Sequence, residues 1–194
     1  MLTDKTITEY TNLLSSDAPT PGGGSSLALV GLNATCLVMM AANVTITKLA
    51  KKGVCCPELQ RSVEMLQSTK EAFFSLVDKD ADAFTRILSA MKLPKDTAEQ
   101  KEARKQALQQ SYVHSAKVSL DIIKNAVDCY KLADKVVEFA DQFVVSDAHI
   151  GKALAKTVAT LNVHNVDVNV DCIVCDKQKQ ALTDEKQALL ALLD

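Results

Sequence analysis

The sequence predicts an all-α protein, a single-domain bundle of long antiparallel helices. Apolar residues recur at helical spacing over long stretches. Only 6 glycines and 4 prolines occur in 194 residues, and they cluster at a few candidate breaks. Nowhere are two alternating segments joined by a hairpin turn. The length suits one compact domain, which we expect to span residues 1–194.

Breaks and caps define the elements of the first half. A short helix over 4–15 is followed by a loop at 18–24, because two prolines and three glycines cannot continue a helix. Ser25 and Ser26 are N-cap candidates for a long apolar helix from about 26 to 51. The third helix is predicted to run from Pro57, a residue type favoured at the first helical position, to about Lys92.

The second half continues the bundle. Helix four is predicted from Thr97 to about Ala140 with interruptions, and a linker at 141–145 follows. Ser146 is expected to cap a fifth helix from Asp147 to at least Leu161. The segment 166–170 alternates like a strand, but it continues a helical stripe with no intervening glycine or proline, so we predict it to be helical. An amphipathic helix from about Thr183 closes the chain.

Composition excludes several classes of function. The net charge is −2, from 22 basic and 24 acidic residues, and no basic cluster offers a footprint for nucleic acid or an anionic membrane. The uncharged stretch 27–42 is shorter than the roughly 20 apolar residues that span a bilayer, so we expect a buried helix rather than a membrane span. Six cysteines in a chain without a basic, apolar leader fit reduced thiols in the cytoplasm.

One carboxylate on the third helix is a candidate acid or base. At about 100° per residue, Val77 lies on an apolar stripe with Phe73 and Phe84. Asp80 falls at about −60° from Val77, at the edge of this stripe, whereas Asp78 falls at about +100° and faces solvent. A carboxylate that faces a core has a raised pKa unless it is paired, so a chemical role is plausible. The alternative is a carboxylate at the stripe edge that reaches solvent.

Polar groups elsewhere suggest a cavity. The segment from Gly22 to Ser25 precedes a helix and could present N–H groups to an anion, although a flexible turn explains it equally. Asn165 and Asn169 lie one turn apart toward the interior, and Asn43 and Thr47 repeat this pattern. These amides could line one polar cavity or bind each other within the core.

The remaining candidates have simple structural interpretations. Ser146 followed by Asp147 is typical of a helix N-terminus. Cys172 and Cys175 have metal-like spacing, but the chain offers no convincing set of four ligands, so we expect no metal. Cys36 and Cys129 are predicted to be small core residues.

Taken together, several motifs resemble the cyclodeaminase/cyclohydrolase family, which includes formiminotetrahydrofolate cyclodeaminase domains and bacterial methenyltetrahydrofolate cyclohydrolases. They are Pro19-Thr20-Pro21-Gly22-Gly23-Gly24-Ser25, Ala42-Asn43-Val44-Thr45 with Lys48, Asp78-x-Asp80-x-x-Ala83-Phe84, Leu93-Pro94-Lys95, Arg104, Ser146-Asp147 and Asn165-Val166-x-Val168-Asn169. The resemblance covers nearly the whole chain. It implies an all-helical, cytoplasmic homodimer without metal or cofactor, acting on a tetrahydrofolate derivative.

The resemblance also implies roles for individual residues. An Asp of the Asp78-x-Asp80 motif would be the catalytic acid or base, and the helical phase favours Asp80. The substrate-binding residues would be Pro21, Gly22, Gly23, Gly24, Ser25, Asn43, Lys48, Asp147, Asn165 and Asn169. Both cyclodeamination and methenyl hydrolysis need one proton shuttle, so the sequence does not choose between them.

Three segments depart from the family pattern. Ala140-Asp141 stands where relatives usually carry Gly-Asn, Val118-Ser119 replaces Val-Pro, and Leu161-Asn162 replaces Gly-Ala. A leucine in place of glycine adds bulk that could fill part of a cavity. The alternative hypothesis is therefore a folate-binding or structural helical dimer that has lost turnover.

Overall fold

A computed structural model describes residues 1–193, and every regular element within them is helical. The helices are α1 (Ile7–Leu14), α2 (Gly23–Lys51), α3 (Pro57–Met91), α4 (Ala98–Phe139), α5 (Val145–Leu161), α6 (Val163–Asp171) and α7 (Asp176–Leu190), with 3₁₀ helices at Leu2–Asp4 and Ala191–Leu193. The predicted all-α class is confirmed.

The core is a four-helix arrangement in which α2, α3, α4 and the α5–α6 pair alternate in direction. Small residues allow close packing between α2 and its neighbours. A Cβ on Gly31 would lie 2.4 Å from the Phe73 ring of α3, and one on Gly151 of α5 would lie 2.7 Å from Val38. Two buried clusters fill the bundle along its length, one of them surrounding Phe73.

Four helix starts differ from the predictions. Helix α1 begins at Ile7, after an N-cap at Thr6, and not at residue 4. Helix α2 begins at Gly23 after an N-cap at Gly22, so Ser25 and Ser26 lie inside its first turn. Helix α5 begins at Val145, which puts Ser146 within the helix instead of at its cap. Helix α7 begins at Asp176, seven residues before the predicted start, because the chain turns at 172–175.

Helix α4 is continuous where interruptions were predicted. A capping box joins Thr97 and Gln100 at its start, satisfying the first free N–H groups. The segment 166–170 lies within α6, as predicted, and the helical run breaks at Asn162 between α5 and α6.

Helix α2 has an unusual composition for an outer element of a bundle. Among the described residues it is the one helix long and apolar enough to cross a membrane by length and composition alone. It packs against α3, α4 and α5 with residues such as Ala34, Val38 and Ala41, which are fully buried. Only 39% of its most apolar 18-residue stretch is buried, so much of an uncharged face remains open.

The two cysteines predicted to be core residues differ in burial. Cys129 is buried in α4, and burial raises the pKa of its thiol to about 11. Cys36 is exposed on the outer face of α2, so its prediction was wrong. The helical phase of Cys36 differs from that of the neighbouring Ala34 and Val38, which face the bundle.

Candidate functional site

A cavity of about 420 Å³ opens beside the N-terminal end of α2. It is lined by Pro19, Thr20, Gly22, Gly23 and Gly24; by Asp80, Phe84, Ile87 and Met91 of α3; by Tyr112, Ser115 and Ser119 of α4; and by Asn165, Val168, Asn169 and Cys172. The exposed walls are mainly apolar, and the polar residues among them are Asp80, two asparagines and the hydroxyl-bearing Thr20, Tyr112, Ser115 and Ser119, which is the usual build of a small-molecule site.

Helical periodicity explains the α3 wall. Asp80, Phe84, Ile87 and Met91 follow each other at spacings of four, three and four residues and so share one face of the helix. The sequence predicted that Phe84 lies in the buried stripe, yet 41% of it is exposed. The cavity is the reason, because this apolar ring borders an open space instead of packed side chains.

The Asp80 carboxylate lies at the N-terminus of α2. Its Oδ2 accepts a hydrogen bond of 3.1 Å from the Ser25 hydroxyl, and the Ser25 backbone N–H also donates to the carboxylate. The end of the helix beside the glycine-rich loop, which the sequence suggested could face an anion, therefore faces a carboxylate of the protein itself. The free N–H groups and positive end of the helix favour a carboxylate there.

Gly24 makes this approach possible. A Cβ at this position would lie 2.0 Å from Asp80 Oδ1 and 2.5 Å from its Cγ, which are impossible separations for non-bonded atoms. Any side chain at residue 24 would therefore displace the carboxylate.

Two opposing effects act on Asp80. Burial raises the pKa of the Asp80 carboxyl above its ordinary value, and the hydrogen bonds from Ser25 partly oppose this effect. Burial is the larger effect. A carboxyl with a raised pKa, placed in a cavity, is suited to accept a proton from a bound ligand or water and to release it again.

Asp78 has a different environment from the one predicted. Instead of facing solvent it is half-buried, and its carboxylate accepts hydrogen bonds from the Leu2 backbone N–H at 2.5 Å and the Thr3 hydroxyl at 2.6 Å. These contacts tie the N-terminal 3₁₀ helix to α3. Asp78 is not among the residues that line the cavity.

A chain of amides forms the α6 wall. Asn162 is fully buried, and its side chain donates to the Ser119 carbonyl of α4 at 2.7 Å. Its side-chain oxygen accepts from Asn165 Nδ2 at 2.7 Å. Asn169 in turn donates to the Asn165 carbonyl at 2.7 Å. The predicted pair, Asn165 and Asn169, therefore lies in the cavity and is held by a third amide.

Gln109 fixes the turn that ends this wall. Its side chain donates to the Cys172 carbonyl at 2.9 Å and accepts from the Val174 N–H at 2.7 Å. Cys172 and Tyr112 both line the cavity, and burial together with the neighbouring thiol raises the pKa of the Tyr112 hydroxyl.

A cationic groove adjoins the cavity through Tyr112. Lys95, Lys101, Arg104 and Lys105 line it. The Arg104 guanidinium donates from Nε to the Met91 carbonyl at 3.2 Å, which fixes this cation next to a residue of the cavity wall.

Three predicted binding residues lie away from the cavity. Lys48 follows Gly24 by 24 residues, which is about 36 Å along a straight helix. Lys48 Nζ forms an ion pair of 2.6 Å with Asp141 and lies 4.4 Å from the centre of the Phe143 ring. Asn43 is exposed on the same half of α2, and Asp147 is in the first turn of α5.

The departures from the family pattern form well-defined contacts. Asn162 bonds to Ser119, so two of the unusual positions meet each other. Asp141, a third, pairs with Lys48, and its N–H donates to Thr45. Leu161 is 49% exposed and absent from the cavity wall, so its bulk does not fill the cavity.

Sequence reasoning missed several residues of this site. Tyr112, Ser115 and Ser119 recur at spacings of three and four on α4, and such a stripe is visible in the sequence. It could not be assigned to a cavity because core stripes have the same period. Asn162 was noted only as a departure from the family pattern.

No group of three or more His, Cys, Asp or Glu side chains that could hold a metal ion occurs within residues 1–193.

Comparison with known proteins gives a consistent group of relatives. Residues 6–188 match the family described as formiminotransferase-cyclodeaminase. Methenyltetrahydrofolate cyclohydrolase from Methylorubrum extorquens is 32% identical over 172 residues, which cover 88% of this chain and 81% of the relative. Formimidoyltransferase-cyclodeaminase from Rattus norvegicus is 24% identical over 97% of this chain, but the match covers 35% of the rat protein.

The fold has a solved counterpart. The crystal structure of formiminotetrahydrofolate cyclodeaminase from Thermotoga maritima matches with a TM-score of 0.84, covering 100% of this chain and 92% of that chain. The sequence identity is 24%, so this similarity establishes the shared fold.

Proposed function

The chain belongs to the formiminotransferase-cyclodeaminase family, and from this premise we propose that it acts on the one-carbon unit bridging N5 and N10 of tetrahydrofolate, as a methenyltetrahydrofolate cyclohydrolase. The observation that carries the proposal is the half-buried Asp80 carboxylate, which lines a mainly apolar cavity and has a raised pKa. The hydrolase is our first choice because the relative with that name is 32% identical and matches over 81% of its own length.

In the proposed reaction Asp80 is a general base. A water molecule attacks the methenyl carbon, and the Asp80 carboxylate accepts the proton that this water loses. The bond from the tetrahedral carbon to N5 then breaks as the hydroxyl of the intermediate loses its proton and becomes the formyl C=O on N10. N5 takes up the proton held by Asp80, and the hydroxyl proton leaves to solvent, so the reaction releases one proton overall. One positioned carboxylate typically supplies about 10²–10⁴-fold in rate for such a step.

The surrounding groups have proposed roles in binding. Asn165 and Asn169 face the cavity and can hold the pterin ring, while Phe84 and Ile87 offer it apolar contact. Folates end in a glutamate, which needs cations. Because Asp80 already lies at the N-terminus of α2, we assign the glutamate carboxylates to Arg104 and its neighbours in the cationic groove.

A second copy of the chain would bring the remaining predicted residues to the cavity. From Gly23 to Thr47 the helix carries no charged residue, and its outer side is open. A face of this kind suits a two-fold symmetric dimer. If two α2 helices pack antiparallel, Asn43 and Lys48 of the second copy approach the N-terminal end of the first. We therefore propose an antiparallel homodimer, with the cytoplasm as its location.

The second candidate is formiminotetrahydrofolate cyclodeamination, which is favoured by the match over 97% of the chain to the rat relative. In that reaction N10 attacks the formimino carbon on N5. Asp80 would accept the N10 proton and pass it to the departing ammonia, so the chain's own groups serve either chemistry. The non-catalytic alternative is disfavoured, since Leu161 is absent from the cavity wall and Asp141 pairs with Lys48 away from it.

A spectrophotometric assay tests the proposal. Purified protein is given 5,10-methenyltetrahydrofolate in one experiment and 5-formiminotetrahydrofolate in another, and the methenyl chromophore is followed. Enzyme-dependent loss of the chromophore supports the cyclohydrolase, and its appearance supports the cyclodeaminase. No change in either experiment, with folate still bound, would support the non-catalytic alternative.

A further inference from the structure

We propose that Asn162 is a positioning residue that locks the Asn165 amide with its side-chain oxygen toward the cavity, so that the α6 wall presents hydrogen-bond acceptors to N–H groups of the ligand. This inference rests on the proposed function for the identity of that ligand, a reduced pterin ring. Its own basis is the hydrogen-bond chain that begins at a fully buried amide.

The orientation of each side-chain amide follows from its hydrogen-bond partners. Ser119 offers a backbone carbonyl, which can only accept, so Asn162 directs Nδ2 toward it. The Asn162 oxygen then points at Asn165, whose Nδ2 donates to it. Asn165 therefore keeps its own oxygen free of this bond, and its amide lies beside the glycine-rich loop, with the oxygen 3.9 Å and the nitrogen 4.0 Å from a Cβ built on Gly23.

The side-chain amide of Asn169 is oriented in the same way. Its Nδ2 donates to the Asn165 carbonyl, which leaves its side-chain oxygen as the free acceptor. Both residues line the cavity. A wall of two oriented amide oxygens prefers a ligand that offers N–H donors, and a reduced pterin carries them on its 2-amino group and ring nitrogens.

Asn162 stands where the family resemblance places alanine, which has no hydrogen-bonding side chain. An unlocked Asn165 amide could rotate and offer either its nitrogen or its oxygen. Holding one orientation before binding reduces the ordering cost on association.

Ligand binding measured by calorimetry tests this role. The probe is 5-formyltetrahydrofolate, and the variants are Asn162→Ala, Asn165→Ala and the double variant. We expect Asn162→Ala to raise Kd about tenfold, as for the loss of one oriented hydrogen bond. If Asn162 acts through Asn165, the double variant binds no more weakly than Asn165→Ala alone. In turnover, KM should rise while kcat stays within a few-fold of wild type.

A control variant separates positioning from general damage. Asn125→Ala on α4 removes an amide bonded within its own helix and should leave Kd unchanged.

Three results would contradict the inference. Wild-type affinity in Asn162→Ala beside weak binding in Asn165→Ala would overturn it and leave the proposed function intact. Additive losses in the double variant would also overturn it. Absence of binding by wild-type protein would overturn the proposed function as well.

Discussion

At the scale of single residues, the site depends on one carboxylate held in a place that is unfavourable for its charge. Asp80→Asn keeps the shape of the side chain but removes its ability to accept a proton. We expect turnover to fall by about 10²-fold or more, because general base catalysis is lost. Asp82→Asn is the matched control, since Asp82 is exposed on the same helix. A rate near wild type for Asp80→Asn would remove Asp80 from the mechanism.

The same variant has an expected effect on stability. Because burial raises the pKa of Asp80 above its ordinary value of 3.8, the folded state binds this proton more tightly than the unfolded state does. Above the raised pKa the cost of burying the charge is fully present. Asp80→Asn should therefore melt at the same or a higher temperature at pH 7, and its advantage should shrink as the pH falls through the raised pKa. Thermal melts of both proteins from pH 7 to pH 4 measure this difference.

Gly24 allows the carboxylate its position, so Gly24→Ala should reduce activity. The added Cβ forces Asp80 to move, and we expect the rate to fall about tenfold or more, as for other small displacements of catalytic groups. Alanine favours a helix over glycine by about 1 kcal/mol, and this gain offsets the cost of displacing Asp80, so the free energy of unfolding should change little. Gly22→Ala should have a smaller effect, because its Cβ would meet no atom within 4 Å. An unchanged rate in Gly24→Ala would contradict this account.

The residue scale also shows how far the sequence could predict the site. Helical phase identified Asp80, because one stripe-edge carboxylate stands out against apolar neighbours. It misplaced Asp78, since the partners of that residue are Leu2 and Thr3, which are 76 and 75 residues away in sequence. Such long-range hydrogen bonds have no periodic signal. The contact made by the buried Asn162 could not be predicted for the same reason, because its partner is Ser119 of another helix.

At the scale of elements, Asp78 anchors the N-terminal segment on α3. Asp78→Asn should weaken the bonds to Leu2 and Thr3 and lower stability by about 1–2 kcal/mol, with activity kept within a few-fold. Faster hydrogen exchange across residues 2–4 would accompany the loss. Thr3→Val removes one of these hydrogen bonds by changing the donor, so the losses of stability caused by the two substitutions should not be fully additive. If Asp78→Asn abolishes activity while Asp80→Asn does not, the catalytic role belongs to Asp78.

Most elements could be predicted because strong local signals mark their ends. Pro57 begins α3, and the capping box at Thr97 begins α4. The start of α2 could not be placed, because its cap involves no local side chain and Asp80 supplies the interaction from α3. Helix α7 begins early for a similar reason, as Gln109 of α4 fixes the preceding turn.

At the scale of the whole molecule, the open face of α2 and the distance between the two groups of predicted binding residues have one common explanation. The outer positions Leu29, Asn33, Cys36, Met40 and Asn43 alternate in spacings of four and three, which is the pattern of a helix–helix seam. Packing two copies antiparallel along this seam would cover the apolar face. It would also combine Asp80 of one chain with Asn43 and Lys48 of the other in each site.

Mixed dimers provide the decisive measurement. Asp80→Asn and Lys48→Ala are each expected to lose most activity as homodimers, whereas unfolding and refolding them together restores one intact site in each mixed dimer. With random pairing, about a quarter of wild-type activity should return, because half of the dimers are mixed and each has one of its two sites intact.

Light scattering should show twice the 21.0 kDa chain mass. Met40→Glu, which places a charge on the seam, should give monomers and prevent recovery, while Met65→Glu on the exposed surface of α3 should not. A wild-type monomer, or mixed samples no more active than their components, would show that each site is built within one chain.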